Sequence, residues 1–138
     1  MPETKPQPVT EYEYDAQVTR FIDGDTVELY LTKTIESVAD FGFRVYHRMQ
    51  ETISTRQNFR LIGINTPEMK GATLVAGRAA LEKLKELLSA EQRLRAVTYK
   101  PDKYGRWLVA LFVKDAAGIE ISVNKTMIDS GHAVPYVE

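Results

Sequence analysis

Apolar and polar residues alternate along the first part of the chain, as they do in strands with one buried face. Most alternate positions in residues 14–22 are apolar, and the same spacing resumes over residues 27–31. Asp23-Gly24-Asp25 separates the two runs and indicates a tight turn, in which we expect Gly24 to adopt a positive φ. The pattern therefore predicts a β-hairpin with its tip at these three residues.

Similar patterns predict further strands. The polar stretch at 49–58 fits either a loop or an extension of the strand before it. The last predicted strand is apolar throughout, so we expect it to be fully buried and its first residue, Trp107, to pack in the core. The additional strands cover residues 41–48, 59–64, 94–100 and 107–113.

A helical period occurs at two places. Within residues 73–90, apolar residues recur at steps of three and four and form one face. A shorter helix follows Ser122, which is a candidate N-cap, and Gly131 stands where such a helix ends. The apolar face of the long helix comprises Leu74, Gly77, Leu81, Leu84 and Leu88.

These elements predict an α+β fold. About five strands, with the long helix between the third and the fourth, favour a five-stranded OB-fold β-barrel with two helices. Residues 1–11 are polar and rich in proline, so we interpret them as a flexible tail. Residues 12–138 then have a length suited to one domain.

The composition excludes several classes of protein. The 138 residues contain no cysteine, which excludes disulfides and thiolate zinc sites, and 43% hydrophobic residues exclude disorder throughout. The longest apolar run has seven residues, and a membrane helix needs about 20. No signal peptide is apparent, so we expect either an intracellular protein or a secreted one without its leader. A monomer is the default expectation.

Charge is distributed unevenly behind a net charge of −1. Residues 1–40 hold three basic and nine acidic side chains, whereas residues 41–106 hold 13 basic and six acidic ones. The near-neutral total therefore does not argue against a polyanionic partner, because the excess positive charge is concentrated in one segment.

Three segments carry charged residues where a buried strand would not tolerate them. Ile22-Asp23-Gly24-Asp25-Thr26 fits either a plain hairpin tip or a cation site. The segment 59–68 places Arg60 in an apolar strand, where its guanidinium needs a carboxylate or a phosphate. The turn at 102–107 combines basic residues with an aromatic one, and fits a solvated hairpin as well as a strand-binding loop.

Together the three segments fit phosphodiester hydrolysis. That reaction needs positive charge around the phosphorus, a hard cation and a base for the attacking water. Arginine pairs two phosphate oxygens at once, and Asp25 with the oxygen atoms near Asn65 and Thr66 suits calcium. Glu68, next to the rigid Pro67, is placed to accept a proton from water.

The same segments resemble the signature blocks of the staphylococcal nuclease-like (thermonuclease) family. The family pattern runs Ile-Asp-Gly-Asp-Thr, then Arg-Leu-x-x-x-Asp-Thr-Pro-Glu, then Asp-Lys-Tyr-Gly-Arg. Here the blocks stand at 22–26, 60–68 and 102–106, in the family's order, and the resemblance covers about residues 14–137. It implies an OB-fold and a calcium-dependent endonuclease that acts on DNA and RNA without sequence specificity and leaves 3′-phosphate ends.

The resemblance also implies roles for ten residues. Arg60 and Arg106 resemble the arginines that clamp the phosphate, and Glu68 resembles the general base. Asp25, the residue at position 65 and the Thr66 carbonyl would hold Ca²⁺. Asp23 resembles an acid behind these ligands, and the contacts to the nucleotide would come from Lys103, Tyr104 and Tyr136.

One position departs from the family pattern. Asn65 stands where the pattern has a second metal-binding aspartate, so a negative charge is lost and calcium affinity is expected to fall. A weakened or inactive module that binds nucleic acid or a protein is therefore the alternative to the nuclease. Residues 32–58 are also rich in aromatic and basic side chains, and fit a dimer contact as well as a substrate contact.

Overall fold

The computed structural model describes residues 12–43, 46–88 and 92–137, so the predicted tail lies outside it. Strands β1 (Glu13–Asp23) and β2 (Thr26–Asp40) form the predicted antiparallel hairpin, with Asp23 opposite Thr26. The expected positive φ of Gly24 is wrong. Glycine is needed there because a Cβ would lie 2.8 Å from the Cβ of Ala80 in the helix behind the turn.

Five of the strands close into a ring. The strands after β2 are β3 (Tyr46–Leu61), β4 (Ile64–Asn65), β5 (Leu94–Tyr99), β6 (Leu108–Lys114), β7 (Glu120–Ser122) and β8 (Val134–Pro135). Antiparallel pairing joins β3 to β2, β2 to β1, β1 to β5 and β5 to β6, and a short parallel pairing of β6 with β3 completes the circle. This is the predicted OB-type barrel, and β7 adds to its edge through β6.

Strands β2 and β3 extend well beyond the barrel as a hairpin arm. They stay in continuous register from Thr26 opposite Arg60 to Asp40 opposite Tyr46. The strand predicted at 41–48 is therefore wrong at its start, because residues 41–43 lie in the turn of the arm. Residues 49–58, which fitted a loop or a strand, belong to β3.

The arm carries exposed apolar residues beyond the barrel, interspersed with polar ones. Residues directly opposite each other in an antiparallel pair share a face, and the face that holds Leu29 and Leu31 in the core continues outward. Beyond the barrel this face carries Ile35, Met49 and Ile53, all exposed. The apolar pattern of the arm therefore exceeds what the barrel covers.

The long helix α1 (Leu74–Leu87) lies between the third and fourth strands of the barrel, as predicted, and a 3₁₀ turn (Gly71–Thr73) precedes it. Its buried residues are Gly77, Ala80 and Leu84, so Ala80 replaces Leu81 in the expected face. No helix in the described part of the chain is long and apolar enough to cross a membrane.

The short helix α2 (Val123–Asp129) begins at the predicted N-cap, where the Ser122 side chain accepts a hydrogen bond from the Lys125 amide. Its Asn124 side chain is buried at the seam between β3 and β6. The amide group of Asn124 donates to the carbonyls of Ile62 and Val109, at 2.9 and 3.1 Å, and its oxygen accepts from the Leu111 amide. One side chain thus joins the helix to both sides of the barrel closure.

The expected burial of Trp107 is wrong. It precedes β6 and is 50% exposed, while its carbonyl accepts a hydrogen bond from the Arg60 amide at 2.8 Å. The core of β6 begins at Leu108. The apolar run in the sequence concealed this change of direction, because periodicity alone does not tell a strand's first residue from the end of a turn.

Candidate functional site

The predicted segments meet in one cleft of about 400 Å³ at the end of the barrel. The β1–β2 turn supplies one wall and β3 with its following loop supplies the second. The turn between β5 and β6 closes the third side. The cleft contains seven of the ten residues singled out from the sequence, which are Asp23, Asp25, Arg60, Asn65, Thr66, Glu68 and Arg106.

Asp25 is largely buried in the wall of the cleft and is held by its neighbours. Its carboxylate accepts hydrogen bonds from the Thr66 amide at 3.1 Å and from the Thr26 hydroxyl at 3.2 Å. Its backbone carbonyl accepts from the Leu61 amide. The aspartate therefore has a fixed orientation, and it connects the hairpin turn to the loop that carries Asn65 and Thr66.

Arg60 is 5% exposed and forms part of the cleft wall. Its guanidinium donates to the Ile64 carbonyl at 2.9 Å and lies 3.9 Å from the Asp25 carboxylate. The ring of Tyr136 lies 4.8 Å from the guanidinium carbon. The contacts with the Ile64 carbonyl and the Tyr136 ring therefore hold the guanidinium in place beside Asp25.

Asp23 lies next to Asp25 and accepts a hydrogen bond from the Asp25 amide at 3.0 Å. Burial raises the pKa of Asp23 to about 6, and the neighbouring carboxylate of Asp25 contributes to the same shift. Two adjacent carboxylates with limited solvent favour the retention of a proton. A cation in the cleft would relieve this repulsion.

The donor atoms around Asp25 suit a hard cation in their chemistry. Carboxylate, amide and carbonyl oxygens are calcium ligands, and Asp25, Asn65 and Thr66 line the same cleft. The Asn65 amide oxygen lies 3.4 Å from the guanidinium of Arg60. The described residues contain no cluster of three or more acidic, histidine or cysteine side chains that could hold a metal. Asp25 is the single carboxylate among these three residues, so the set carries less negative charge than a two-aspartate site would.

Glu68 is the most exposed of the acids in the cleft, with 73% of its side chain accessible, and its carboxylate lies 3.6 Å from the Lys70 ammonium. Its backbone is much more constrained. A Cβ on Gly77 would lie 2.7 Å from the Glu68 carbonyl oxygen and 2.8 Å from that of Pro67. The first turns of α1 therefore pack directly on the backbone of the Glu68 loop while the carboxylate stays in solvent.

Arg106 is oriented by a residue to which the sequence analysis gave no role. The Asp102 carboxylate accepts from Arg106 Nε at 2.7 Å, and from the amides of Tyr104 and Arg106 at 2.9 and 3.0 Å. The Asp102 side chain is only 4% exposed. Aspartate at the start of a turn commonly accepts hydrogen bonds from the amides that follow it. Asp102, four residues before Arg106, could therefore have been identified from the sequence.

The predicted nucleotide contacts lie outside the lining of the cleft. Lys103 and Tyr104 are exposed on the β5–β6 turn, and their ammonium and ring lie 5.2 Å apart. Tyr136 follows β8, where its amide donates to the Gly63 carbonyl at 2.8 Å. Phe59 and Trp107 line the cleft instead, although neither was assigned there from the sequence.

A family model described as "Staphylococcal nuclease homologue" matches residues 58–138, which is more than half of the chain. The matched range includes two of the three sequence blocks and the helix between them. No curated protein matches the chain.

Proposed function

The chain belongs to the staphylococcal nuclease homologue family, and we propose that it is a calcium-dependent endonuclease. Its substrates would be DNA and RNA, cleaved without sequence specificity to leave 3′-phosphate ends. One observation carries the proposal: the buried Arg60 and the turn-anchored Arg106 line the same small cleft as Asp25 and Glu68. This set places two guanidinium groups, a carboxylate for a cation and a candidate base around one cleft.

The chain's own residues divide the work. Arg60, held by the Ile64 carbonyl, would pair with the non-bridging oxygens and stabilise the negative charge that builds on phosphorus. Arg106, aligned by Asp102, would supply a second fork from the opposite wall. Preorganised charge of this kind is usually the largest catalytic contribution.

Glu68 is proposed as the base. Its exposed carboxylate would accept a proton from water as the water oxygen bonds to phosphorus. The bond from phosphorus to the 5′ oxygen breaks, and the 5′ oxygen takes up a proton and leaves as a hydroxyl. Calcium bound by Asp25, Asn65 and the Thr66 carbonyl would add positive charge at the phosphate.

The test is cleavage of a labelled oligonucleotide in calcium and in excess chelator. We expect calcium-dependent products whose ends lose phosphate on treatment with a 3′-phosphatase. Arg60→Ala and Arg106→Ala should each lower turnover by about 100-fold or more, whereas Arg78→Ala, on the exposed surface of α1, should not. Intact protein that gives no calcium-dependent product at neutral or mildly alkaline pH would refute the proposal.

Asn65 supports a second candidate, a nuclease-like module that binds nucleic acid or a protein without cleaving it. Loss of one carboxylate weakens a calcium site, whereas phosphate binding by the two arginines would not require the metal. Equal binding of an oligonucleotide in calcium and in chelator, with no product formed, would favour this function over the nuclease.

A further inference from the structure

A second concave surface adjoins the cleft. It is a groove of about 490 Å³ between the base of the hairpin arm, the start of β1 and the β5–β6 turn. We propose that this groove is a second nucleic-acid subsite, which binds unpaired bases of the strand whose phosphate lies in the cleft. Its aromatic residues are Tyr12, Tyr14, Phe59, Tyr99 and Trp107.

The groove is continuous with the cleft. Phe59 and Trp107 line both spaces, and Trp107 directly follows Arg106 in the chain. A strand held at the cleft by Arg106 would therefore have its neighbouring nucleotide at the mouth of the groove. No separate binding event is needed, since the two surfaces share a wall.

The chemistry of the groove suits bases on a phosphate backbone. Tyr99 is 45% exposed, and it shares the groove with the half-exposed Trp107. Aromatic faces stack on any base, so they favour unpaired strands with little dependence on sequence. Lys33 and Lys100 also line the groove, and no carboxylate does so among the described residues. The two lysines would thus attract a polyanion, and no carboxylate among these lining residues would repel it.

Part of the segment 32–58, for which the sequence left a dimer contact or a substrate contact open, lines the groove. Lys33 on β2 and Ile53 on β3 face each other across the arm, and both line the groove. The Lys33 ammonium lies 5.1 Å from the centre of the Tyr14 ring. The base of the arm therefore belongs to the predicted substrate surface, whereas an uncharged peptide would gain nothing from the two lysines.

This inference rests on the proposed function, yet it can be tested without cleavage. Trp107 is the only tryptophan of the chain, so its fluorescence reports on the wall between the two spaces. We would titrate full-length protein with octathymidylate in chelator. Stacked bases should quench Trp107, while the same octamer in a duplex and an abasic octamer of equal charge should quench it much less.

Tyr99→Ala is the decisive variant. We expect it to weaken octathymidylate binding about 10-fold, while its effect on cleavage of a dinucleotide, which is too short to fill the groove, stays within about twofold. Tyr30→Ala is the matched control, because Tyr30 is an exposed strand tyrosine outside the groove. A cooperative melt for each variant establishes folding, and Lys100→Ala offers a second test through a smaller salt dependence of binding.

The outcomes separate the two ideas. Quenching by octathymidylate that Tyr99→Ala weakens, without calcium-dependent cleavage, would remove the nuclease and keep the subsite. Cleavage in which the octamer and the dinucleotide respond equally to Tyr99→Ala, or do not respond, would remove the subsite and keep the nuclease. Quenching by an apolar peptide but not by octathymidylate would assign the groove to a protein partner and overturn the proposal.

Discussion

The Asp102 carboxylate binds Arg106 Nε at 2.7 Å and also caps two amides of the same turn. Backbone and guanidinium are therefore fixed by one nearly inaccessible side chain. Burial alone would raise the pKa of Asp102, but the hydrogen bonds from Arg106 and Tyr104 outweigh it and hold this pKa below its usual value. Asp102 is thus a positioning residue for Arg106.

Asp102→Asn should lower turnover by about 10-fold or more, because the amide loses the ion pair that aligns Arg106. The measurement is kcat and KM on an oligonucleotide together with the melting temperature. Asp115→Asn is the matched control, since Asp115 caps the amides of Ala117 and Ile119 in a turn remote from the cleft. Equal losses of activity in both variants would reduce Asp102 to a general turn residue.

Asn65→Asp should lower the calcium concentration needed for half-maximal activity. The substitution adds a carboxylate to a set that has Asp25 as its principal charge, and each added carboxylate raises affinity for a dication. A calcium titration of cleavage measures the shift, which we expect to be about 10-fold. Unchanged calcium dependence would mean that residue 65 is not a ligand.

Glu68→Gln should reduce kcat by about 100-fold or more with little change in KM, because the base is lost and the phosphate contacts remain. Glu82→Gln provides a control, as Glu82 is an exposed acid that lies 3.7 Å from Lys85 on α1. If kcat stays near the wild-type value at every pH tested, the assignment of Glu68 as base fails.

Gly24→Ala should destabilise the protein by about 1–3 kcal/mol, because the added methyl would overlap Ala80 and press on Thr66. Chemical denaturation measures the loss. The double variant Gly24→Ala with Ala80→Gly should lose at least about 0.5 kcal/mol less stability than the sum of the two single variants, since the clash with the helix is relieved. Strict additivity of the two substitutions would show that helix contact does not explain Gly24.

The ion pairs of Arg95 should make the stability of the fold depend on pH in the acid range. It pairs with Glu120 and Glu13, and its hydrogen bond to Glu120 lowers the Glu120 pKa below 4.5, its ordinary value. A lowered pKa contributes stability above the unfolded-state pKa, and this contribution is lost as pH falls through the folded-state pKa. The melting temperature of the wild type should therefore exceed that of Glu120→Gln at neutral pH, and the two values should converge in acid. A difference that stays constant down to low pH would show that the charge of Glu120 is not involved.

Local patterns predicted the parts of the fold that depend on short-range order. Alternation located the β1–β2 hairpin, and Ser122 marked the start of α2 because N-capping is decided within one turn. The arm was missed in part, since Phe41 and Phe43 read as strand residues although they lie in a turn. Apolar alternation indicates which side chains share a face, and does not reveal where the core stops covering that face.

At the site, too, features set by neighbouring residues could be predicted and features set by packing could not. Arg60 drew attention in the sequence because a buried arginine demands a partner, and the structure places it in the lining of the cleft. Trp107 was assigned to the core because neighbouring apolar residues mask a change of direction. The reason for Gly24 was also missed, since contact with Ala80 joins positions far apart in sequence. Such contacts are set by the packing of whole elements.

The close approach of Gly77 to the Pro67 and Glu68 carbonyls couples local opening of the loop to that of α1. Because α1 rests on the backbone of the loop, the loop cannot swing outward as a lid while the helix stays docked. Amide hydrogen exchange at Thr66 should therefore follow that of the helix at Ala80 and Leu84, as one cooperative unit. The cleft would then open only when its supporting helix detaches, so any ligand must fit the cleft as it stands.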